Sequence, residues 1–312
     1  MRLIRFRVGD GEPLAGVIGA GAPEVITRLA AVSGLAGLFA LPLPRIREIC
    51  ADPGGPAVGY GQAELLAPVD GGTEVWAAGV TYERSRTARM AESEKSADVY
   101  DRVYDAQRPE LFFKSAAWRV SGTGAPVSIR ADSSINVPEP ELAAVLNFAG
   151  DVVGYTLCND MSSRSIEGEN PLYLPQAKIY RGGCAVGPWI RPAWEVPDPY
   201  ALTIAMTISR GGSVAWAGSS TTAGLRRRID ELAAYLFRED DFPFGVVLST
   251  GTSLVPDLPF TLEAGDEIRI SISEIGELVN QVVRGKAAVA VHAAGLGRAP
   301  LGQAPLGQAP LS

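Results

Sequence analysis

The chain has 312 residues, of which 46% are hydrophobic and 20% charged, and its formal net charge is −7. This composition is ordinary for a globular protein, and the length predicts one large domain together with a small one. An acidic chain lacks the basic surface that nucleic acids and anionic membranes require. No stretch approaches the roughly 18 apolar residues of a membrane span, so we expect neither nucleic-acid nor membrane partners.

The cysteines and the single histidine limit the kinds of disulfide, metal site and catalytic triad that this chain can form. Cys50, Cys158 and Cys184 have no metal-ligand spacing and are too few for a disulfide framework, which indicates reduced thiols in a cytoplasmic protein. No apolar stretch follows the charges at the N-terminus, so we expect no signal peptide there. Because His292 is the only histidine, serine or cysteine triads and multi-histidine zinc sites are nearly excluded.

Residues 1–71 predict a small N-terminal α+β domain. A strand over 2–8 and a second strand over 15–19 lead into a helical stretch over 24–40, and prolines and glycines interrupt the segment that follows.

Residues 72–295 predict a second, larger domain built mainly of strands. Short β-branched runs alternate with Gly, Pro and Asp turns, which favours an α+β fold whose catalytic part is a mixed β-sheet roll. The predicted strands cover 74–80, 110–114, 126–130, 141–147, 152–160, 201–210, 245–250 and 267–273.

Two helical segments interrupt these strands, and a tail follows them. Residues 221–239 carry apolar positions at helical spacing behind a Ser/Thr N-cap, which predicts a scaffold helix. Residues 84–105 are charged and weakly apolar, so they form either a mobile cover or a solvated helix. Residues 296–312 repeat APLGQ, and this composition predicts a disordered tail.

Three carboxylates form the candidate metal site. Glu139 and Glu141 are two residues apart at a predicted strand, where side chains at i and i+2 share a face, and Asp160 ends a later strand. Like charges held together away from water destabilise each other unless a cation lies between them. Carboxylates without histidine or cysteine suit Mg2+, with Mn2+ or Ca2+ as alternatives. On residue types alone, an exposed glutamate pair and a turn aspartate are the competing interpretation.

Longer motifs carry a family resemblance. The segments PEPELAAVLN, GYTLCNDMSSRSIEGENPLYLPQAKIYRGGCAVGPWI and FGVVLSTGTSLVP resemble the fumarylacetoacetate hydrolase superfamily, in order, over residues 72–285. Within it, GVTYERSRTAR, RPELFFK and EGENPLYLPQAKIY are most similar to the branch of 2-keto-3-deoxy-D-arabinonate dehydratases. The resemblance implies a mixed β-sheet roll, Mg2+ dependence, a small 2-keto acid as substrate, and a homodimer or homotetramer.

The resemblance also implies roles for single residues. Glu139, Glu141 and Asp160 match the metal ligands, Lys178 matches the active-site lysine, and Glu110 matches the acidic residue of proton transfer in the dehydratase branch. Lys178 could hold developing negative charge or protonate the leaving hydroxyl.

Further residues are candidates for substrate binding. Arg84 and Arg86 could bind the substrate carboxylate or hydroxyls, or else lie in solvent. Lys114 shares a predicted strand face with Glu110, Ser162 follows Asp160 directly and is expected to shape the ligand loop, and the hydroxyl of Thr252 could meet a substrate oxygen. These residues complete the predicted site, and for each a purely structural role is the alternative.

One departure from the family pattern bears on the reaction. Hydrolases of this family carry a water-activating histidine shortly after a strand-end tyrosine, and here Ser85 follows Tyr82 instead. We therefore expect dehydration of a 2-keto-3-deoxy sugar acid, by metal-stabilised enolate formation and loss of the C4 hydroxyl. The alternatives are a hydrolase or decarboxylase of acylpyruvate- or oxaloacetate-type acids, and an inert binding protein.

Overall fold

The computed structural model describes residues 1–83 and 102–289. The predictions on Arg84, Arg86, His292 and residues 296–312 lie outside the described residues, and so does most of the segment 84–105. Within the described part, no helix has both the length and the apolar character needed to cross a membrane.

The described strands are, in chain order, β1 (Arg2–Val8), β2 (Leu14–Ile18), β3 (Val25–Leu29), β4 (Gly54–Gly59), β5 (Ala63–Leu66), β6 (Glu74–Gly79), β7 (Glu110–Ala116), β8 (Val127–Ile129), β9 (Asn136–Val137), β10 (Pro140–Leu146), β11 (Val152–Asp160), β12 (Ser162–Ser163), β13 (Cys184–Pro192), β14 (Thr203–Arg210), β15 (Ser213–Thr221), β16 (Val246–Ser249), β17 (Glu267–Ile272) and β18 (Gly276–Arg284). The α-helices that connect these strands include α1 (Leu35–Phe39), α2 (Leu43–Ala51), α3 (Arg164–Glu169), α4 (Leu174–Lys178) and α5 (Ile229–Leu236).

One large sheet runs through both predicted domains. Its strand order is β4-β3-β2-β1-β13-β11-β10-β16-β6-β7, with β5 also paired to β1. The junction is the antiparallel pair β1–β13, in which Leu3 lies opposite Ile190. The N-terminal strands therefore extend the sheet that carries the candidate site.

A second sheet, in the order β15-β14-β17-β18-β8, packs against the first. The main hydrophobic core lies between them and includes Leu142 and Leu157 from the large sheet and Ile204 and Ile270 from the smaller one. A second core, on the opposite face of the large sheet, joins strand residues such as Val145 to the apolar side chains of α1 and α2. Strand β10 is consequently buried on both faces, which explains the apolar run that follows Glu141, from Leu142 to Leu146.

The mixed sheets and few helices confirm the predicted fold class, and each strand predicted in the larger domain is present. The helix predicted over 24–40 is wrong. Its first part is strand β3, because the β-branched run Val25–Thr27 pairs with β2 and β4, and only α1 remains helical.

The scaffold helix predicted over 221–239 is shorter than expected. The Thr221 side chain accepts a hydrogen bond from the Ala223 N–H and caps a single 3-10 turn, and the α-helix begins only at Ile229. Strand β15, rich in Ala, Gly and Ser, was missed because its composition carries no strand signal.

Candidate active site

The three predicted ligands meet at one end of the antiparallel strands β10 and β11. Glu141 lies opposite Cys158 in this pairing, and the Asp160 N–H donates to the Glu139 carbonyl at 2.9 Å. Each of the three side chains offers a carboxylate oxygen, and these oxygens all lie within 4.8 Å of one another. All three residues are at most 2% exposed. Side chains that are separate in sequence thus form one buried carboxylate cluster.

Lys178, at the end of α4, contacts two of the three carboxylates. Its Nζ donates to Glu139 Oε2 at 2.9 Å, to Asp160 Oδ2 at 3.0 Å and to Ser162 Oγ at 2.5 Å. Ser162 is fully buried, and its hydroxyl lies 3.0 Å from the Asp160 carbonyl oxygen. Ser162 therefore orients the lysine and the ligand loop, as the shaping role predicted for it implies.

Lys114 lies behind the carboxylates. Its Nζ is 2.5 Å from Asp160 Oδ1 and also donates to the carbonyl oxygens of Lys178 and Met161, at 2.6 and 3.0 Å. The side chain is fully buried, and these contacts direct its charge toward the protein rather than toward a substrate.

Arg164 and Glu167 join the site. The position of Arg164 directly after the Asp160 loop predicts that it helps to shape this loop, whereas no role was expected for Glu167. Arg164 Nη2 lies 2.6 Å from Glu139 Oε1, its Nε lies 3.9 Å from Glu167 Oε2, and all three side chains are buried. Both residues are on α3, at i and i+3, a spacing that places them on one helix face. That spacing, directly after the Asp160 loop, was the available signal.

Glu141 is held by the last residue of β16 and by the segment that follows that strand. Ser249 Oγ and the Gly251 N–H both donate to Glu141 Oε2, at 2.5 and 2.8 Å. Burial raises the pKa of Glu141 well above its ordinary value, the negative charge of Asp160 raises it further, and the Ser249 hydrogen bond opposes this. A cation in the cluster would favour the charged carboxylate.

Thr252 lies on the cleft wall, but its hydroxyl is engaged within the protein. The hydroxyl lies 2.9 Å from the Pro140 carbonyl oxygen and accepts from the Leu254 N–H at 3.1 Å. The structure thus ties Thr252 to the backbone just before Glu141.

Glu110, at the start of β7, contributes to the cleft wall. Its carboxylate packs against Gly79, where an added Cβ would lie only 1.9 Å from Glu110 Oε2. Phe112 lies two residues further along the strand, with its ring centroid 5.7 Å from Lys178 Nζ. The cleft is lined by Ala78, Gly79, Val80, Glu110, Phe112, Glu139, Glu141, Asp160, Arg164, Glu167, Leu174, Lys178, Gly251 and Thr252.

The charges of this site fit a divalent cation. The carboxylate oxygens of Glu139, Glu141 and Asp160 lie within 4.8 Å of one another and away from water, where like charges repel unless a cation lies between them. Oxygen donors without nitrogen or sulfur are the ligands that Mg2+ prefers. The donor set and its clustering therefore both suit Mg2+ at Glu139, Glu141 and Asp160.

Comparison with known proteins identifies the family of this chain. Residues 74–283 match the family described as fumarylacetoacetate (FAA) hydrolase C-terminal. The chain belongs to this family. Among curated members, a probable 2-keto-3-deoxyxylonate dehydratase of Haloferax volcanii is 50% identical over 215 residues, which cover 69% of this chain and 73% of that protein. A 2-dehydro-3-deoxy-D-arabinonate dehydratase of Saccharolobus solfataricus is 44% identical over 221 residues, covering 70% and 74%.

Solved structures of family members agree with this assignment. 2-keto-3-deoxy-D-arabinonate dehydratase complexed with magnesium and 2,5-dioxopentanoate superposes with a TM-score of 0.79 at 35% identity, covering 92% of this chain and all of that one. A 5-carboxymethyl-2-hydroxymuconate delta-isomerase of Mycobacterium smegmatis gives a TM-score of 0.67 at 25% identity. The family fold thus serves several reactions, and the dehydratase shares more of this sequence than the isomerase does.

Proposed function

We propose that this family member is a magnesium-dependent dehydratase that converts 2-keto-3-deoxy-pentonate to 2,5-dioxopentanoate and water. The observation that carries this conclusion is the buried cluster of Glu139, Glu141 and Asp160, in a chain 50% and 44% identical to two dehydratases of this substrate class. A related dehydratase has been solved with magnesium and 2,5-dioxopentanoate. The protein is accordingly a metal-dependent carbon–oxygen lyase.

The different sugar names of the two relatives are compatible with a single substrate. Xylonate and arabinonate differ in configuration at C2 and C3, and both of those centres are lost once C2 is a ketone and C3 a methylene. Only C4 remains stereogenic, and it has the same configuration throughout the D series. The D-xylonate and D-arabinonate derivatives are therefore one compound, and we propose that this compound is the substrate.

The residues of the cleft have different roles in the reaction. The chemistry that Mg2+ supplies at such a site is polarisation of the 2-oxo group, which makes the protons on C3 more acidic. Glu110, opposite the cluster, removes a proton from C3, and the hydroxyl on C4 leaves as water once it is protonated. Lys178 and Arg164 hold Glu139 in position, and the ammonium of Lys178 stabilises negative charge that develops near it. Transfer of a proton from C5 to C3, followed by ketonisation, completes the aldehyde.

The direct test uses the metal-stripped protein with 2-keto-3-deoxy-D-pentonate, with and without Mg2+, and follows the carbon skeleton by NMR. The expected product is 2,5-dioxopentanoate with all carbons retained, formed only when Mg2+ is present. Cleavage to pyruvate and glycolaldehyde would instead indicate an aldol cleavage, and turnover of acylpyruvate or oxaloacetate in its place would indicate a hydrolase or decarboxylase. Either result would overturn the proposal.

We also propose a cytoplasmic homodimer or homotetramer. The three cysteines are buried and free, as expected in a reducing compartment. Large apolar side chains that are 62–83% exposed in the single chain, Trp118, Val214 and Leu172, support burial against further copies. Light scattering of the purified protein tests the assembly, and a monomer at micromolar concentration would refute it.

A further inference from the structure

One peptide group next to the carboxylate cluster is hydrogen-bonded from both of its ends. The bond between Thr250 and Gly251 presents its N–H to Glu141 Oε2 at 2.8 Å, while its carbonyl oxygen accepts from the hydroxyl of Thr81 at 2.6 Å. A trans peptide is planar, with its C=O and N–H pointing in opposite directions. A donor that fixes the carbonyl oxygen therefore also fixes the direction of the N–H.

Thr81 is itself held firmly at this place. It is fully buried, directly after the end of β6, and its carbonyl oxygen accepts from the Arg226 N–H at 3.0 Å. The preceding residue, Val80, has a φ of 51°, in the left-handed region that a β-branched residue rarely adopts. Such strain persists only where the surroundings impose it. The backbone turn at Val80 is what brings the Thr81 hydroxyl toward the Thr250 carbonyl.

Gly251 completes the arrangement. Its φ is 92°, and a Cβ added there would lie 2.0 Å from Thr81 Oγ1. The threonine hydroxyl thus occupies the space that any larger residue at position 251 would need. The glycine and the threonine fit each other, and together they determine which group donates to Glu141.

We propose that Thr81 is a positioning residue for Glu141. Its hydroxyl orients the Thr250–Gly251 peptide so that the Gly251 N–H holds Glu141 Oε2, and a carbonyl that accepts a hydrogen bond also makes its own N–H a stronger donor. Glu141 is then held in place before the metal binds. This inference rests on the proposed magnesium site, and it assigns a role in that site to a residue that lies outside the cleft wall.

The test is Mg2+ binding to the metal-stripped protein by calorimetry, in Thr81→Val and Thr81→Ser. Valine keeps the shape and loses the donor, so its Kd for Mg2+ is expected to rise about 10- to 100-fold, as for other groups that orient a metal ligand. Serine keeps the hydroxyl and should bind as the wild type does. Activity of Thr81→Val should fall at limiting Mg2+ and recover when the metal is saturating.

Thr73→Val is the matched control. Thr73 is equally buried and donates to the Phe244 carbonyl at 2.9 Å, just before β6 and outside the cleft wall. Loss of this hydrogen bond should lower thermal stability without changing the Kd for Mg2+ more than about twofold. If Thr81→Val does not fold, Thr81→Ala is compared with Thr81→Ser in the same titration.

The outcomes separate this inference from the proposed site. If Glu141→Gln abolishes Mg2+ binding while Thr81→Val, or its alanine substitute, binds as the wild type does, the positioning role is refuted and the metal site stands. If Glu141→Gln itself binds Mg2+ normally, the proposed site fails, and this inference fails with it. Loss of affinity in Thr81→Ser equal to that in Thr81→Val would also count against the hydroxyl.

Discussion

Two aspartates, the half-buried Asp70 and the buried Asp160, have very different surroundings for their negative charge. Asp70 accepts hydrogen bonds from the Leu35 and Ala36 N–H groups at the start of α1, at 3.0 and 2.6 Å, and lies 3.5 Å from Arg5 Nε. Asp160, by contrast, lies in the carboxylate cluster and meets the ammonium groups of two lysines.

The difference lies in what surrounds each carboxylate. Backbone N–H groups and the helix dipole stabilise Asp70, so its charge contributes to the folded state. Asp160 belongs to a group of like charges whose burial costs stability unless a cation is present. A carboxylate that completes a helix end indicates structure, whereas carboxylates that cluster together in a buried cleft indicate a ligand.

The largest expected effect comes from Glu139→Gln. Mg2+ binding and dehydratase activity should disappear together, with a loss of roughly 1,000-fold or more in kcat/KM, because metal polarisation supplies several kcal/mol. The far-UV circular dichroism spectrum should not change, since the amide keeps the shape of the side chain. Activity that survives this change, or survives exhaustive chelation, would contradict the role assigned to the cluster.

Glu110→Gln separates proton transfer from metal binding. The variant should lose about 100- to 10,000-fold in kcat, as expected for removal of a general base, while its Kd for Mg2+ stays near the wild-type value. Calorimetry and steady-state kinetics on the same preparation check both statements. A variant that loses metal affinity in proportion to kcat would place Glu110 among the residues that hold the metal instead.

The raised pKa of Glu141 makes metal binding depend on pH. Mg2+ must displace the proton, so its affinity should increase with pH, by up to about tenfold per unit below the folded-state pKa. The metal-free protein gains stability from a protonated Glu141 below the ordinary glutamate pKa and loses this gain as pH rises through the raised value. The increase in Tm that Mg2+ produces should therefore grow with pH, and Glu141→Gln should abolish this dependence.

The smallest effect is expected from Asp70, at the N-terminal end of α1. Asp70→Ala should lower the free energy of unfolding by about 1–2 kcal/mol through loss of two backbone acceptor contacts. The Kd for Mg2+ and kcat at 25 °C should remain those of the wild type. Chemical denaturation and the calorimetric titration together test this, and a change in metal affinity would remove the contrast between the two aspartates.

The sequence predicted the carboxylate cluster more completely than the groups around it. Local spacing and a strand end singled out Glu139, Glu141 and Asp160, and family motifs supplied the roles expected of Lys178 and Glu110. The contacts of Ser249 and Thr81 depend on strand pairing across more than a hundred residues, which no local pattern encodes.

The fold shows the same division between local and distant information. The buried strands were readable as apolar runs bounded by turns. The segment 24–40 was misread because its alanines and leucines suit a helix, while its place between β2 and β4 is set by the sheet.

The pairing of Leu3 with Ile190 also has a consequence for how the chain is made. At about 5–20 residues per second, a ribosome needs roughly ten to forty seconds to deliver the partner strand after the first strand has emerged. During that interval β1 can pair with β2 and β5 but not with β13. Completion of the central sheet therefore waits for late synthesis, and this long-range closure is expected to limit the folding rate of the enzyme.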